Sequence, residues 1–156
     1  MKLKKLGERK IIEIFARNFN KCDSEVVGIG DDAAVFKLDS ENYLAISTDI
    51  ITQKVHIPRE MTPEQIGMYA ANVNLSDLAS MGASPIGLLF SFGLPGDLDE
   101  AIIEGISTGI NSTCKEHGIC VLGGDTKEHD EIVISGTALG KVKKNGILTR
   151  AGAMAG

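Results

Sequence analysis

Tryptophan is absent from this 156-residue chain, which carries five Phe and two Tyr. With so few large rings, its core must be built mainly from aliphatic side chains and alanine. Cysteine is scarce as well: Cys22, Cys114 and Cys120 are odd in number, form no CxxC pair and have no histidine at zinc-site spacing. That excludes a disulfide framework and a zinc knuckle, and leaves reduced thiols of the kind found in the cytoplasm. No run of eighteen apolar residues occurs, and the lysine-rich start leads into no apolar signal segment, so neither a membrane span nor a secretory leader is expected. Positive charge is also in short supply, the formal net charge being −5. Affinity for nucleic acid is built from clustered Lys and Arg, so that partner is excluded. The one basic run, Lys2, Lys4, Lys5, Arg9 and Lys10, alternates with Leu3, Leu6 and Ile11 and reads as a solvated helix face.

Several motifs are missing too. There is no GxxxxGK[ST] loop, no HRD catalytic loop and no GxGxxG opening a helix after a strand, which excludes the common nucleotide folds. No serine elbow or cysteine–histidine arrangement supports a nucleophilic enzyme. Nothing fixes the carboxylate separation that a glycosidase needs.

What the chain does have is glycine, 18 residues of it, within a composition that is 43% hydrophobic and 24% charged. That is the make-up of a soluble globular domain with many tight turns or close backbone approaches. At 16.6 kDa it fits one core and is short for a two-substrate enzyme.

Ile11, Ile12, Phe15 and Phe19 recur at helical spacing, predicting an amphipathic helix from Gly7 to Phe19. A glycine-bearing loop through Gly28, Gly30, Asp31 and Asp32 follows. The stretches Ala33–Leu38 and Tyr43–Ile50, separated by Asp39 to Asn42, read as a β-hairpin whose second strand carries Ser47, Thr48 and Asp49. After a polar loop with His56, Thr62 is a candidate N-cap with Pro63 at the first helical position, opening a helix that runs to Met81 and stops at Gly82. Pro85–Gly93 reads as a buried strand, Leu98–His117 as a third helix and Ile119–Leu122 as a strand. Gly123 to Thr126 reads as a turn and Ile132–Val142 as the last strand. The small, glycine-rich 151–156 run reads as the start of a linker to a further domain, after a first domain over 1–150. Irregular alternation with a hairpin predicts an α+β fold, a mixed and largely antiparallel sheet, rather than a doubly wound parallel one.

The chemistry resides in the aspartates. Asp31 and Asp32 follow Gly28 and Gly30, Asp49 ends a strand, Asp125 follows two glycines, and Asp77 lies mid-helix among Ala70, Ala71, Val73, Leu75, Leu78 and Ala79. A carboxylate in apolar surroundings is costly unless paired or bound to a cation. Asn74, one turn earlier, offers Asp77 a neutral partner only. If Asp31, Asp49, Asp77 and Asp125 converge, their repulsion calls for cations. The donors are hard oxygens, the hydroxyls of Ser47 and Thr48 included, so magnesium is favoured. Magnesium in turn is held by a few carboxylates together with substrate phosphates, which points to a nucleotide.

The segments Gly28-Ile29-Gly30-Asp31-Asp32-Ala33-Ala34, Ser47-Thr48-Asp49, Asn74 to Ala83 and Gly123-Gly124-Asp125-Thr126 together resemble the thiamine-monophosphate kinase family. More weakly, they resemble the wider superfamily of aminoimidazole ribonucleotide synthetase and selenophosphate synthetase. The resemblance implies an amino-terminal ATP- and magnesium-binding half with helices on one face of its sheet, the sheet pairing with that of a second subunit in a homodimer. It implies magnesium-dependent transfer of the γ-phosphoryl group of ATP to thiamine monophosphate, giving thiamine diphosphate. By motif position, Asp31, Ser47, Thr48, Asp49, Asp77 and Asp125 are expected to hold magnesium. Gly124, Asp125 and Arg150 are expected to contact ATP, and His56 the thiamine phosphate. No residue is assigned as acid or base. Around His56 the family has a glycine two residues before and a phenylalanine after, where this chain has Lys54 and Ile57. No Phe, Tyr or Trp follows Phe92, so nucleotide binding is expected either to be looser or to use aliphatic contacts. The alternatives are a non-catalytic magnesium- and nucleotide-binding dimerisation module, or a related enzyme acting on another acceptor.

Overall fold

The computed structural model describes residues 3–151 and Met154, so most of the expected linker at 151–156 lies outside the described residues. A single turn of 3-10 helix, Leu3–Lys5, precedes helix α1, Glu8–Asn18. The remaining elements are β1 (Glu25–Val27), β2 (Ala34–Lys37), β3 (Asn42–Thr52), α2 (Gln53–His56), α3 (Pro63–Ser80), β4 (Ser84–Leu94), α4 (Glu100–Glu116), β5 (Cys120–Glu128) and β6 (Val133–Lys143). The strands form one six-stranded sheet in the order β1-β2-β3-β6-β4-β5. Only β4 and β5 run parallel, joined by α4 as a crossover; the other pairs are antiparallel, as an α+β fold requires.

Strand β6 has a period of two. Ile134, Gly136, Ala138, Gly140 and Val142 are buried, while Val133, Ser135, Thr137 and Leu139 between them are half-exposed. The buried set faces the helices: a Cβ at Gly136 would meet Asn74 of α3, and one at Gly140 would meet Leu78. Helices α3 and α4 therefore cover one face of the sheet and leave the other open. Beneath them lie Val35, Ala45, Leu78, Met81, Leu88, Phe90 and Ala138, an aliphatic core containing one fully buried ring. Helix α1 buries none of its residues, and its Phe15 ring stacks at 5.8 Å on that of Phe19, the residue that follows the helix.

Thr62 caps α3 as expected. Its hydroxyl accepts from the Gln65 N–H at 3.3 Å, Gln65 Oε1 accepts from the Thr62 N–H at 2.9 Å, and Pro63 needs no partner. The helix ends where Gly82 takes φ 70°, with the Ala83 N–H donating to Leu78 O at 2.9 Å in a Schellman-type stop. Helices α3 and α4 meet backbone to backbone: a Cβ at Gly67 would stand 2.0 Å from Ile106 O, and one at Gly109 would stand 1.9 Å from Glu64 O.

The structure departs from the sequence reading in three places. Short β1 forms inside the expected glycine loop, paired to β2. The polar loop after β3 begins with the helical turn α2. The turn expected at Gly123 to Thr126 is instead the middle of β5, because Gly124 lies flat against β4, where a Cβ would stand 1.7 Å from Phe90 O. A glycine in a strand marks close backbone approach as readily as a turn. The thiols are free, with Cys114 buried and Cys22 and Cys120 exposed.

Candidate functional site

Two of the predicted groups come together where β3 passes under α3. Alternation along β3 turns Ala45, Ser47, Asp49 and Ile51 toward the helices, and α3 brings Asp77 down onto them. Ser47, buried on β3, donates its hydroxyl to Asp77 Oδ2. The Asp77 carboxyl is pushed above the usual aspartate range, first by burial and then by the neighbouring charges of Asp49 and Asp32, against the opposing pull of Ser47 and Arg150. Repulsion of this kind is what a divalent cation would relieve. Asp49 holds the N–H of Ile50 at 2.7 Å through Oδ1.

A second cluster joins the glycine loop to the segment after β6. Asp31 Oδ2 accepts from the Arg150 backbone N–H at 3.2 Å, and Asp31 Oδ1 from the Asp32 N–H at 3.0 Å. Asp32 receives the Arg150 guanidinium through Nε at 3.1 Å and through Nη2, and the Ser80 hydroxyl at 3.0 Å. The Arg150 and Ser80 bonds hold the Asp32 carboxyl below its usual range. Arg150 thus reaches the site, but as the partner of Asp32, a residue that the sequence reading assigned to no ligand.

The other predicted residues stand apart. Thr48 points to the open face, donating to Gly136 O at 2.7 Å and accepting from Thr137 Oγ1 at 3.3 Å. Asp125 is level with Ser91 on β4, which pairs with Ser135 of β6, so it too lies on the open face. It is three strand places from β3, roughly 14 Å at about 4.8 Å per step, and its nearest charge is Lys127 Nζ at 3.3 Å. The convergence of all four aspartates, a condition in the sequence reading, is therefore not what the fold of one chain produces. His56 ends α2, with Nδ1 accepting from the Thr52 N–H at 3.0 Å; a neutral ring then carries its proton on Nε2. Asn74 does not serve Asp77: its Oδ1 accepts from the Asp49 N–H instead.

Beside Gly124 and Asp125 lies an open trough of about 400 Å³ lined by Phe90, Phe92, Val121, Gly123 and Thr126. Adjoining it, a largely apolar cavity of about 260 Å³ is enclosed by Phe92, Leu94, Ile103, Ile106, Ser107 and Thr126. Among the described residues no three or more of Asp, Glu, His and Cys already form a metal cage. Magnesium commonly takes one or two carboxylates and leaves its remaining places to phosphate and water, and the Ser47–Asp49–Asp77 donor set suits that habit. Among the described residues no helix is long and apolar enough to cross a membrane.

The Asp32–Arg150 pair is exposed on the arginine side, so Asp32→Asn is expected to cost no more than about 1 kcal/mol at neutral pH. Because folding lowers the Asp32 pKa, this stability is present above the ordinary aspartate range and fades as pH falls through the lowered value. Urea denaturation of wild type and variant should show the gap closing in acid.

The model of the family described as AIR synthase related protein, N-terminal domain, matches residues 30–142. The chain is 37% identical over 151 residues to the thiamine-monophosphate kinase of Pyrococcus abyssi, covering 97% of this chain and 46% of that protein. With the thiamine-monophosphate kinase of Methanocaldococcus jannaschii it shares 38% over 137 residues, 86% of this chain and 43% of that one. A solved structure of AaThiL complexed with AMPPCP and TMP superposes with a TM-score of 0.89 at 31% identity, covering 100% of this chain and 48% of that one. The chain thus spans about half the length of the curated relatives it matches.

Proposed function

On the premise that this chain belongs to the AIR synthase related family, as its N-terminal domain, we propose that it is the ATP- and magnesium-binding half of a thiamine-monophosphate kinase. The observation that carries the reading is the Ser47–Asp49–Asp77 group, oxygen donors running from buried Ser47 through half-buried Asp77 to exposed Asp49, with carboxylates that repel, in a chain similar to thiamine-monophosphate kinases along almost its whole length. The reaction would move the γ-phosphoryl group of ATP to the phosphate of thiamine monophosphate, in the cytoplasm.

In this reading Asp31, Ser47, Asp49 and Asp77 hold magnesium on the helix side of β3. The ion would supply charge neutralisation between two anionic substrates. The accepting phosphate is mostly dianionic at neutral pH, its second pKa being about 6, so no side chain need remove a proton. Gly124 admits the nucleotide close to the backbone of β5, and the Phe92–Ile103–Ile106 cavity, apolar with one aromatic ring from β4, is the seat for adenine. His56, with Nε2 free, meets the thiamine phosphate, and Arg150 turns from Asp32 toward ATP. Thr48 and Asp125 share the open sheet face, against which a second copy would stand in a homodimer. Both residues would then act at that interface, their cation reached through the nucleotide or the second copy.

The test is to incubate the full gene product, and separately the 156-residue chain, with magnesium, γ-labelled ATP and thiamine monophosphate. Labelled thiamine diphosphate from the full product is the expected result, and its absence would count against the kinase reading. The 156-residue chain is expected to bind magnesium-ATP and to transfer slowly or not at all.

A further inference from the structure

The proposed function gives no role to Asn74, one of the buried polar side chains. Asn74 is 1% exposed, at the centre of α3 where it crosses β3. Its Oδ1 accepts from the Asp49 backbone N–H at 3.0 Å, and its Nδ2 donates to Ala70 O at 2.9 Å. Each end of the amide therefore has a partner, and the side chain is a hydrogen-bonded strut from helix to strand. Only glycine fits beneath the strut: a Cβ at Gly136 of β6 would stand 2.2 Å from Nδ2.

The place of the strut is informative. Pairing of β2 with β3 ends at Ala34 and Ile46, so at Asp49 the strand has lost its neighbour on that edge. An N–H left unpartnered against the buried Asn74 is costly, and the Asn74 amide replaces the missing strand. The residue so held is Asp49, and one helical turn along from Asn74 the same helix delivers Asp77. One side chain thus ties the backbone of one carboxylate to the element that carries the other.

Resting on the magnesium reading above, we infer that Asn74 is a positioning residue for the cation site: it sets the backbone of Asp49 relative to Asp77. It touches neither substrate nor ion. Partners that orient metal ligands in this way are commonly worth about 10–100-fold in metal affinity.

The test uses Mn2+ as the probe, since carboxylate and hydroxyl oxygens that take Mg2+ also take Mn2+. Free Mn2+ is counted by electron paramagnetic resonance against wild type, Asn74→Leu and Leu78→Ala, with and without ATP. Amide exchange at Asp49 is followed in the same samples. Leu78 is buried in the same helix without a bond to either carboxylate, so Leu78→Ala is the control for general destabilisation. The expected result for Asn74→Leu is faster exchange at Asp49 and Mn2+ affinity lower by about tenfold or more, while Leu78→Ala melts earlier yet keeps its affinity within about twofold. If Asn74→Leu does not fold, Asn74→Ser, which is polar but too short to reach Asp49, is expected to show the same loss. Unchanged Mn2+ affinity in the folded Asn74 variant would overturn the inference, as would an equal loss in Leu78→Ala. Absence of Mn2+ binding by wild type, with ATP present, would instead bring down the magnesium reading and this inference with it.

Discussion

Asp77→Asn is expected to melt at a higher temperature than wild type without magnesium, and to lose the stabilisation that magnesium confers. The substitution keeps an oxygen to accept the Ser47 hydroxyl and removes the charge that Asp49 and Asp32 repel. Burial and those neighbours raise the Asp77 pKa in the folded state, so the native protein binds its proton more tightly than the unfolded chain. By linkage the charged form is a liability at neutral pH, relieved as pH falls through the raised value. Half-burial and solvent screening keep the gain modest, no more than about 1 kcal/mol. The ligand effect is far larger. Outer partners of metal ligands are already worth about 10–100-fold, so losing the carboxylate itself should weaken magnesium by at least roughly 100-fold. Calorimetric melts at neutral pH, with and without magnesium and ATP, would show the two curves crossing. A variant that melts lower without metal, or that still gains from magnesium, would contradict this account of Asp77.

Gly109→Ala is the second large effect, this time on stability alone. Alanine is the better helix former by about 1 kcal/mol, so in a solvated helix the change would stabilise. Here the added Cβ would stand 1.9 Å from Glu64 O and 2.9 Å from the Met68 nitrogen, which are backbone atoms that cannot rotate aside. The helices must separate, opening the core beneath them, and overpacking of this kind costs about 1–3 kcal/mol. With the contact this short we expect the upper end, a fall in Tm of roughly 6–12 °C. Gly146→Ala is the control: its nearest neighbour would be 3.6 Å away, and its Tm should hardly move. If the two variants melt alike, the close crossing of α3 and α4 is not what those glycines provide.

Legibility from sequence tracked the range of the interaction. Thr62-Pro63 and Gly82 announced both ends of α3 because caps and stops act within one turn. The last strand, β6, and the hairpin of β2 and β3 are equally plain, being local apolar runs bounded by turn residues. The Gly123 to Thr126 run was misread because glycine marks two different things. Only the position of Phe90 on the neighbouring strand shows that close approach, rather than a turn, is the reason for Gly124. Helical spacing offers Asn74 to Asp77 as a neutral partner; in the structure its Oδ1 is bonded to Asp49, 25 residues away in the chain, where no spacing rule reaches. The bond between Arg150 and Asp32 spans 118 residues and was unforeseen for the same reason.

By itself the sequence determined the kind of chemistry: hard oxygen donors among glycines, no thiolate or imidazole cage, no basic surface, and helices and strands whose periods name their buried faces. Those properties belong to residue types and near neighbours, and they persist in any arrangement of the chain. Which aspartates meet was decided by the tertiary structure alone. Strand order and alternation put Asp49 under Asp77 and sent Asp125 and Thr48 to the opposite face, because one residue of register turns a side chain through the sheet. A site of this kind is assembled by long-range pairing, so composition states its chemistry and topology its membership.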